Sequence, residues 1–169
     1  MTGVVPNIDQ DRNRTVGRLL VGSGRRAGLP AIARPERIER PYERLGTHPD
    51  LVARLWDELG GALPEDCRYA VYGWPALVHP RSGVIFGFAQ GTHTYGLRLP
   101  EALAEEAVRA GALRAIGYPD GSALEAARLG TGWILGRWLS QEPSWCQSAY
   151  DHADPPAGLG GGCREAGPD

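Results

Sequence analysis

The sequence predicts an α+β fold, in which an antiparallel β-meander is packed by an N-terminal helix, a middle helix and a C-terminal helix. A helical repeat of apolar residues comes first, and three runs rich in β-branched and aromatic residues follow it. The connections between these runs are too short for the crossovers that parallel strands require, which predicts antiparallel pairing. Two further helical patterns follow the runs and complete the predicted fold.

The chain has 169 residues, enough for one domain with a sizeable core. Residues 47–153 are predicted to form this single domain. Gly and Pro interrupt residues 1–46 repeatedly, which predicts a flexible Arg-rich arm. Residues 154–169 are rich in Gly and Pro and poor in apolar side chains, so we expect a disordered tail.

The first predicted helix begins at Thr47, whose hydroxyl can cap it, with Asp50 at the reciprocal position of a capping box. Its apolar stripe repeats every four residues and ends at Gly60, which favours helix termination. The stripe consists of Leu51, Leu55 and Leu59, widened by Val52 and Trp56.

Three strands are predicted next, at residues 68–78, 83–89 and 92–99. The sequence HPRSG, residues 79–83, provides a compact turn between the first two, and QG at residues 90–91 provides the second connection. We therefore expect a three-stranded meander.

The predicted middle helix begins at Pro100, which suits the first turn of a helix, and ends at Gly111. Residues 118–130 contain a turn and a short helical pattern, and residues 132–139 predict a further strand. The terminal helix is predicted after Ser140 as its cap, and it continues to about residue 153.

Composition limits the classes of function. The net charge of −2 gives no general attraction to nucleic acid or to an anionic membrane, and no window is apolar for the roughly 18 residues that a membrane span needs. All 18 basic residues other than His are Arg, which is typical of GC-rich bacterial genomes. No secretory signal is evident at the start, and the three cysteines show no Cys-x-x-Cys spacing, so we expect free thiols and a cytoplasmic location.

Candidate catalytic residues centre on the sequence GFAQGTHTYGLRLP, residues 87–100. Strand alternation puts His93 on the same face as Tyr95, Leu97 and Leu99, which favours a partly buried, hydrogen-bonded imidazole over a catalytic one. The alternative is a small enzyme whose site gathers His93 and Tyr95 with Cys146 or His79.

We expect no metal and no cofactor. The four histidines, His48, His79, His93 and His152, have no spacing that would place two of them on one face of an element.

Two other features favour binding. The aromatic side chains of Trp74, Trp133 and Trp138 are candidates for a binding face, together with Arg98, if any of them is left exposed. Residues 1–48 carry nine Arg and five acidic residues, so residues 12–44 are a candidate for weak, salt-sensitive contact with nucleic acid.

The order of elements, with YGWPALVHPRSGVIFGFAQGTHTYGLRLPEALAEEAVRAG followed by GWILGRWL and a closing helix, resembles the TfoX N-terminal and YjbR (MmcQ)-like domains. The resemblance covers roughly residues 48–152 and implies an α+β domain with a regulatory or binding role and no catalytic residues to carry over. HPRSG is longer than the hairpin expected of that family, and the basic N-terminal segment has no counterpart in it. We therefore expect a non-catalytic module of a bacterial cytoplasmic protein that binds another macromolecule, most readily a protein.

Overall fold

The computed structural model describes residues 5–22, 29–114 and 129–154. It confirms the α+β class, with helices on both sides of an antiparallel sheet. The α-helices are α1 (Arg14–Gly22), α2 (Pro41–Arg44), α3 (Pro49–Ala53), α4 (Glu101–Arg109) and α5 (Glu142–Ala153). The strands are β1 (Ile32–Ala33), β2 (Arg68–Val71), β3 (Trp74–Val78), β4 (Ile85–Gln90), β5 (Thr94–Arg98), β6 (Leu113–Arg114) and β7 (Trp133–Leu135).

In the described residues the sheet has seven strands in the order β1-β2-β3-β4-β5-β7-β6. Strands β1 to β5 form a continuous meander, and β7 pairs with β5 before β6 closes the edge. The predicted turn at residues 79–83 lies between β3 and β4 as expected. The predicted connection at residues 90–91 is shifted, because Gln90 ends β4 and pairs with Thr94, so the turn before β5 is residues 91–93.

The prediction of one strand over residues 68–78 is wrong, because the chain reverses at Tyr72 and Gly73. Both residues have positive φ, 51° and 85°, as a two-residue hairpin turn of the primed kind requires. The turn brings Val71 opposite Trp74 and converts the predicted strand into the hairpin β2-β3. The meander therefore has more strands than the three that were predicted.

Both faces of the sheet are buried. One face carries the larger core, formed with α3, α4 and α5 and including Tyr95, Leu97 and Leu99 as strand alternation predicts. The other face packs against α1 and carries Trp74, Phe88 and Trp133 among others. Burial on both faces explains why every residue of β3 is apolar, since a strand with one solvated face would alternate.

The prediction of a flexible arm does not hold for the described parts of residues 1–46. Helix α1 buries Val16, Leu19 and Leu20 against the second face of the sheet, and β1 pairs with β2. The side chain of Asn13 is also buried, and it donates to the Gly83 carbonyl and accepts from the Ile85 N–H. This segment is part of the packed fold because the sheet has a second apolar face to cover.

The first predicted helix is capped by His48 instead of Thr47. The His48 Nδ1 accepts a hydrogen bond from the Asp50 N–H at 3.1 Å, whereas Thr47 is buried and donates to the Ala89 carbonyl. After α3 the helix continues as a π-helical segment, Arg54–Leu59, and a 3₁₀ turn, Gly60–Ala62. Because π-helical turns are rare and often occur at functional sites, this segment draws attention to its first residue, Arg54.

The middle helix α4 follows Pro100 and leads to Gly111, as predicted, and Gly111 has a φ of 121°. The predicted strand over residues 132–139 is shorter, since β7 ends at Leu135. Ser140 does not cap the terminal helix; the residue before α5 is Gln141, whose side chain makes no capping bond. The helical pattern predicted at residues 118–130 falls almost entirely outside the described residues, as do residues 155–169 of the predicted tail.

Candidate functional site

A buried ion pair joins the π-helical segment to the first residue of α5. Glu142 is 0% exposed, and its Oε1 accepts a hydrogen bond of 2.8 Å from Nη2 of Arg54. The same Nη2 also donates to the Leu139 carbonyl at 3.1 Å, and Nη1 of Arg54 binds Glu58 at 2.7 Å. Nε of Arg54 is buried without a hydrogen-bond partner among the described residues, so the pair depends on the bonds that Nη1, Nη2 and the carboxylate make.

Tyr95 and Arg137 supply the remaining hydrogen bonds of the Glu142 carboxylate. The Tyr95 hydroxyl donates to Oε1, and the Arg137 N–H donates to Oε2 at 2.8 Å. The hydroxyl also accepts the Trp138 N–H at 2.7 Å, which ties the loop after β7 to the centre of the sheet. We call Arg54, Tyr95, Trp138 and Glu142 the Trp138 platform.

The protonation states of the platform follow from these contacts. Burial and the hydrogen bond to Glu142 raise the pKa of Tyr95 to about 12. The phenol therefore stays protonated and donates a hydrogen bond to the carboxylate. Burial disfavours the charge of Arg54, but its interactions with Tyr95, Glu58 and Glu142 outweigh burial and hold its pKa above the usual value. The platform therefore contains a fixed cation and a fixed hydrogen-bond donor.

Trp138 is the exposed residue of the platform. Its side chain is 50% exposed, and its backbone has a φ of 61°, which is unusual for a bulky residue. The Arg54 guanidinium lies 5.1 Å from the centre of the indole ring, and the Tyr95 ring meets the indole edge-on at 5.9 Å. The indole is thus held at the surface by two neighbours that are themselves fixed in the core.

The residues of the predicted enzyme site have separate surroundings and are not hydrogen-bonded to one another among the described residues. His93 is exposed in the turn before β5, where its Nδ1 contacts the Thr92 hydroxyl at 2.8 Å, so the expectation that it is partly buried is wrong. Burial raises the pKa of the Cys146 thiol to about 12, which opposes formation of a nucleophilic thiolate. Among the described residues, no hydrogen bond joins His93, Tyr95 or Cys146 to another of the three.

His79 has a packing role. It is fully buried, its Nδ1 accepts the N–H groups of Arg81 and Ser82 at 3.2 and 3.3 Å, and its ring stacks on Tyr150 at 4.9 Å. Its Nε2 lies 3.5 Å from Oδ2 of Asp154 without a hydrogen bond. Burial lowers the pKa of this imidazole, which therefore closes the β3-β4 turn onto α5 as a neutral group.

The side chains predicted to bind are placed differently from one another. Trp74 is buried, with its indole N–H bonded to the Leu20 carbonyl at 3.1 Å, and Trp133 is buried against Phe88. Arg98 is half-buried beside a cleft on the α1 side of the sheet.

Several arginines of the predicted nucleic-acid segment, residues 12–44, are engaged within the fold. Ion pairs join Arg14 to Asp11, Arg34 to Asp66 and Arg44 to Glu39, at 2.7, 2.5 and 3.2 Å. Each pair reduces the charge that the segment can offer to a phosphate backbone. The weak contact with nucleic acid stays a prediction.

The described parts of the chain contain neither a candidate metal site nor a candidate membrane span. Over residues 5–22, 29–114 and 129–154, no three His, Cys, Asp or Glu side chains are grouped so that they could hold a metal ion. Within the same ranges no helix is long and apolar enough to cross a membrane.

Sequence reasoning missed Arg54 and Glu142. Arg54 borders the apolar stripe of its helix, and Glu142 starts a helix just before Pro143, so each has the local pattern of a solvated residue. The pair is separated by 88 positions in the chain, and only the fold brings it together. A weak signal was present in Tyr95, whose inward direction was predicted and whose buried hydroxyl needs a partner.

Comparison of the chain with protein-family models, with curated proteins and with solved structures gives no match.

Proposed function

We propose that this protein is a non-catalytic binding module of a bacterial cytoplasmic protein, and that it docks on another protein through Trp138. The proposal rests on Trp138, whose indole is half-exposed and whose backbone is in the left-handed region. A hydrogen bond from its backbone N–H to the buried Tyr95 hydroxyl holds that backbone in place. The resemblance to TfoX N-terminal and YjbR (MmcQ)-like domains favours the same class of function.

The backbone of Trp138 is costly to maintain. A non-glycine residue in the left-handed region costs of order 1–3 kcal/mol, and such residues concentrate at functional sites. Here the Tyr95 hydroxyl accepts the Trp138 N–H and is itself bonded to Glu142. The core thus stabilises a backbone conformation in which the indole is presented to solvent.

A fixed indole is well suited to recognise a protein. Trp and Arg are enriched among the residues that dominate binding free energies, and a side chain fixed before binding loses little conformational entropy on association. The Arg54 guanidinium lies over the indole ring, and this cation–π contact favours the observed orientation of the side chain. We therefore expect the partner to offer an apolar pocket that receives the exposed part of the indole.

Affinity capture with the full chain tests this proposal. We expect wild-type protein to retain a partner, and Trp138→Ala to weaken that partner's binding about thirtyfold, the effect of losing a residue worth about 2 kcal/mol. Trp138→Asn is a second variant, because Asn tolerates the left-handed region and keeps the backbone in place. Far- and near-ultraviolet circular dichroism verify that both variants fold.

Val21→Ala is the matched control, since Val21 is 49% exposed on α1, on the opposite side of the sheet from α5. It should retain the partner as the wild type does. Equal retention by Trp138→Ala, or loss with Val21→Ala alone, would contradict docking through Trp138.

A further inference from the structure

A cleft of about 480 Å³ lies on the side of the molecule away from the Trp138 platform's indole, where β5 ends. Its walls come from residues 11–15 at the start of α1, residues 98–101 after β5, residues 129–133 before β7, and His152 near the end of α5. A volume of several hundred Å³ is typical of sites for small molecules. We call this feature the Arg98 cleft.

Three cationic or potentially cationic groups meet in the Arg98 cleft. Nη1 of Arg98 donates to the Arg12 carbonyl at 2.7 Å, and Nη2 of Arg12 donates to the Ala153 carbonyl at 3.2 Å. His152 lines the same cleft. The hydrogen bonds of the described residues involve only one nitrogen of each guanidinium, so both arginines keep donors for a ligand.

Carboxylates do not neutralise these arginines. Within the described residues, no carboxylate oxygen lies within 4.0 Å of the Arg12 or Arg98 guanidinium. Two acidic residues line the cleft, but Asp11 pairs with Arg14 at 2.7 Å and Glu101 accepts a hydrogen bond from the Thr131 hydroxyl. Arg14 and Asp11 offset each other, which leaves Arg12 and Arg98 against the Glu101 carboxylate among the lining residues, so the positive charge of the cleft exceeds its negative charge by one.

Burial and mutual repulsion disfavour the charged forms of Arg98 and His152. Burial and the charge of Arg12 lower the pKa of Arg98. Burial and the charges of Arg98 and Arg12 lower the pKa of His152. A bound anion would reverse the repulsion, because an opposite charge at close range favours the charged form of each group.

We infer that the Arg98 cleft binds a small molecule through a phosphate group, which Arg98 and Arg12 contact from two sides. Guanidinium groups form strong, directional hydrogen bonds with phosphate oxygens, and two of them match the charge of a phosphate dianion. The concave shape and limited volume favour a small ligand over a polymer. This inference goes beyond the docking proposed for Trp138 and depends on different residues.

Titration of the ¹⁵N-labelled full chain with inorganic phosphate, followed by NMR, tests the inference. We expect saturable shifts of the Arg98 and Gly132 amides, and a Kd that rises about tenfold or more in Arg98→Gln, the effect of losing a charged hydrogen bond. Arg12→Gln is the second variant and should weaken binding in the same direction. Arg109→Gln is the control, because Arg109 is exposed on α4 and does not line the cleft.

Three control ligands distinguish specific phosphate binding from general attraction of anions and from nucleic-acid binding. Sodium chloride at matched ionic strength and sodium acetate should give no saturable shifts at these amides, and a short oligothymidylate should not displace phosphate. Unchanged affinity in both cleft variants would overturn the inference. So would equal shifts with chloride or acetate, or displacement by the oligonucleotide, which would indicate a nucleic-acid surface instead.

Discussion

Arg54 and Arg98 are both largely removed from solvent, and they have opposite surroundings. Arg54 is bonded to two carboxylates, Glu58 and Glu142, and to a backbone carbonyl. Among the residues that the structure describes, the Arg98 side chain has a single carbonyl partner, and Arg12 is a neighbouring cation. This difference indicates that Arg54 stabilises the fold, whereas the charge of Arg98 is available to a ligand.

The two arginines also differ in what they position. Arg54 and its partners orient Trp138, and the hydrogen bonds that do so are made between residues of this chain. Arg98 holds the backbone of Arg12 through one hydrogen bond, and its charge costs free energy until an anion binds. We therefore expect substitutions of the buried platform residues Arg54, Tyr95 and Glu142 to act on stability, and substitutions in the Arg98 cleft to act on ligand binding.

The largest loss of stability should come from Glu142→Gln, which removes the buried ion pair between Glu142 and Arg54. The substitution leaves the Arg54 charge without its buried carboxylate partner, and loss of one partner of a buried pair costs about 3–5 kcal/mol. Urea denaturation should show this fall in the free energy of unfolding.

Glu58→Gln is its matched control, since Glu58 binds the same arginine from a half-exposed position. Exposed ion pairs contribute about 0.2–1 kcal/mol, so this variant should remain close to the wild type. Similar losses in the two variants would show that Glu142 has no special place in the platform.

A smaller loss of stability is expected from Gly136→Ala, which tests whether the packing of the Tyr95 ring holds Trp138 in place. An added Cβ at residue 136 would overlap the Tyr95 ring, so the ring must move and its hydroxyl must leave Glu142 or the Trp138 N–H. Overpacking of this kind costs about 1–3 kcal/mol. Denaturation measures the loss, and a change in Trp138 fluorescence should accompany it.

Gly61→Ala serves as the control, because an added Cβ there meets its nearest neighbour only at 3.9 Å. A stable Gly136→Ala variant with unchanged fluorescence would mean that close packing at Tyr95 does not hold Trp138.

Much of the fold could be predicted from local patterns, and the errors have physical causes. The hairpin at Tyr72 and Gly73 was missed because a bulky Tyr stands where Asn or Asp usually marks a primed turn. Helix α1 was missed because Val16, Leu19 and Leu20 make a short stripe that Gly17 interrupts. The unbroken apolar run in β3 could have revealed both a second buried face and the need for a helix to cover it.

The candidate sites were harder to predict. The direction of Tyr95 follows from strand alternation, but its partner Glu142 lies 47 positions away and is identified only by the fold. Arg98 was a candidate from the sequence, whereas its convergence with Arg12 and His152 depends on how the start of α1 and the end of α5 meet near β5. His93 was placed wrongly because β5 begins at Thr94, so alternation does not extend to the turn before it.

The most direct test of the central contrast is the free energy of unfolding of Arg54→Gln and Arg98→Gln, measured by urea denaturation in buffer without phosphate. Arg54→Gln should lose about 3–5 kcal/mol, because Glu142 is left as an unpaired buried charge. Arg98→Gln should stay within about 1 kcal/mol of the wild type, because relief of repulsion by Arg12 offsets one lost hydrogen bond. Equal losses in the two variants would contradict the distinction between a structural arginine and one kept for a ligand.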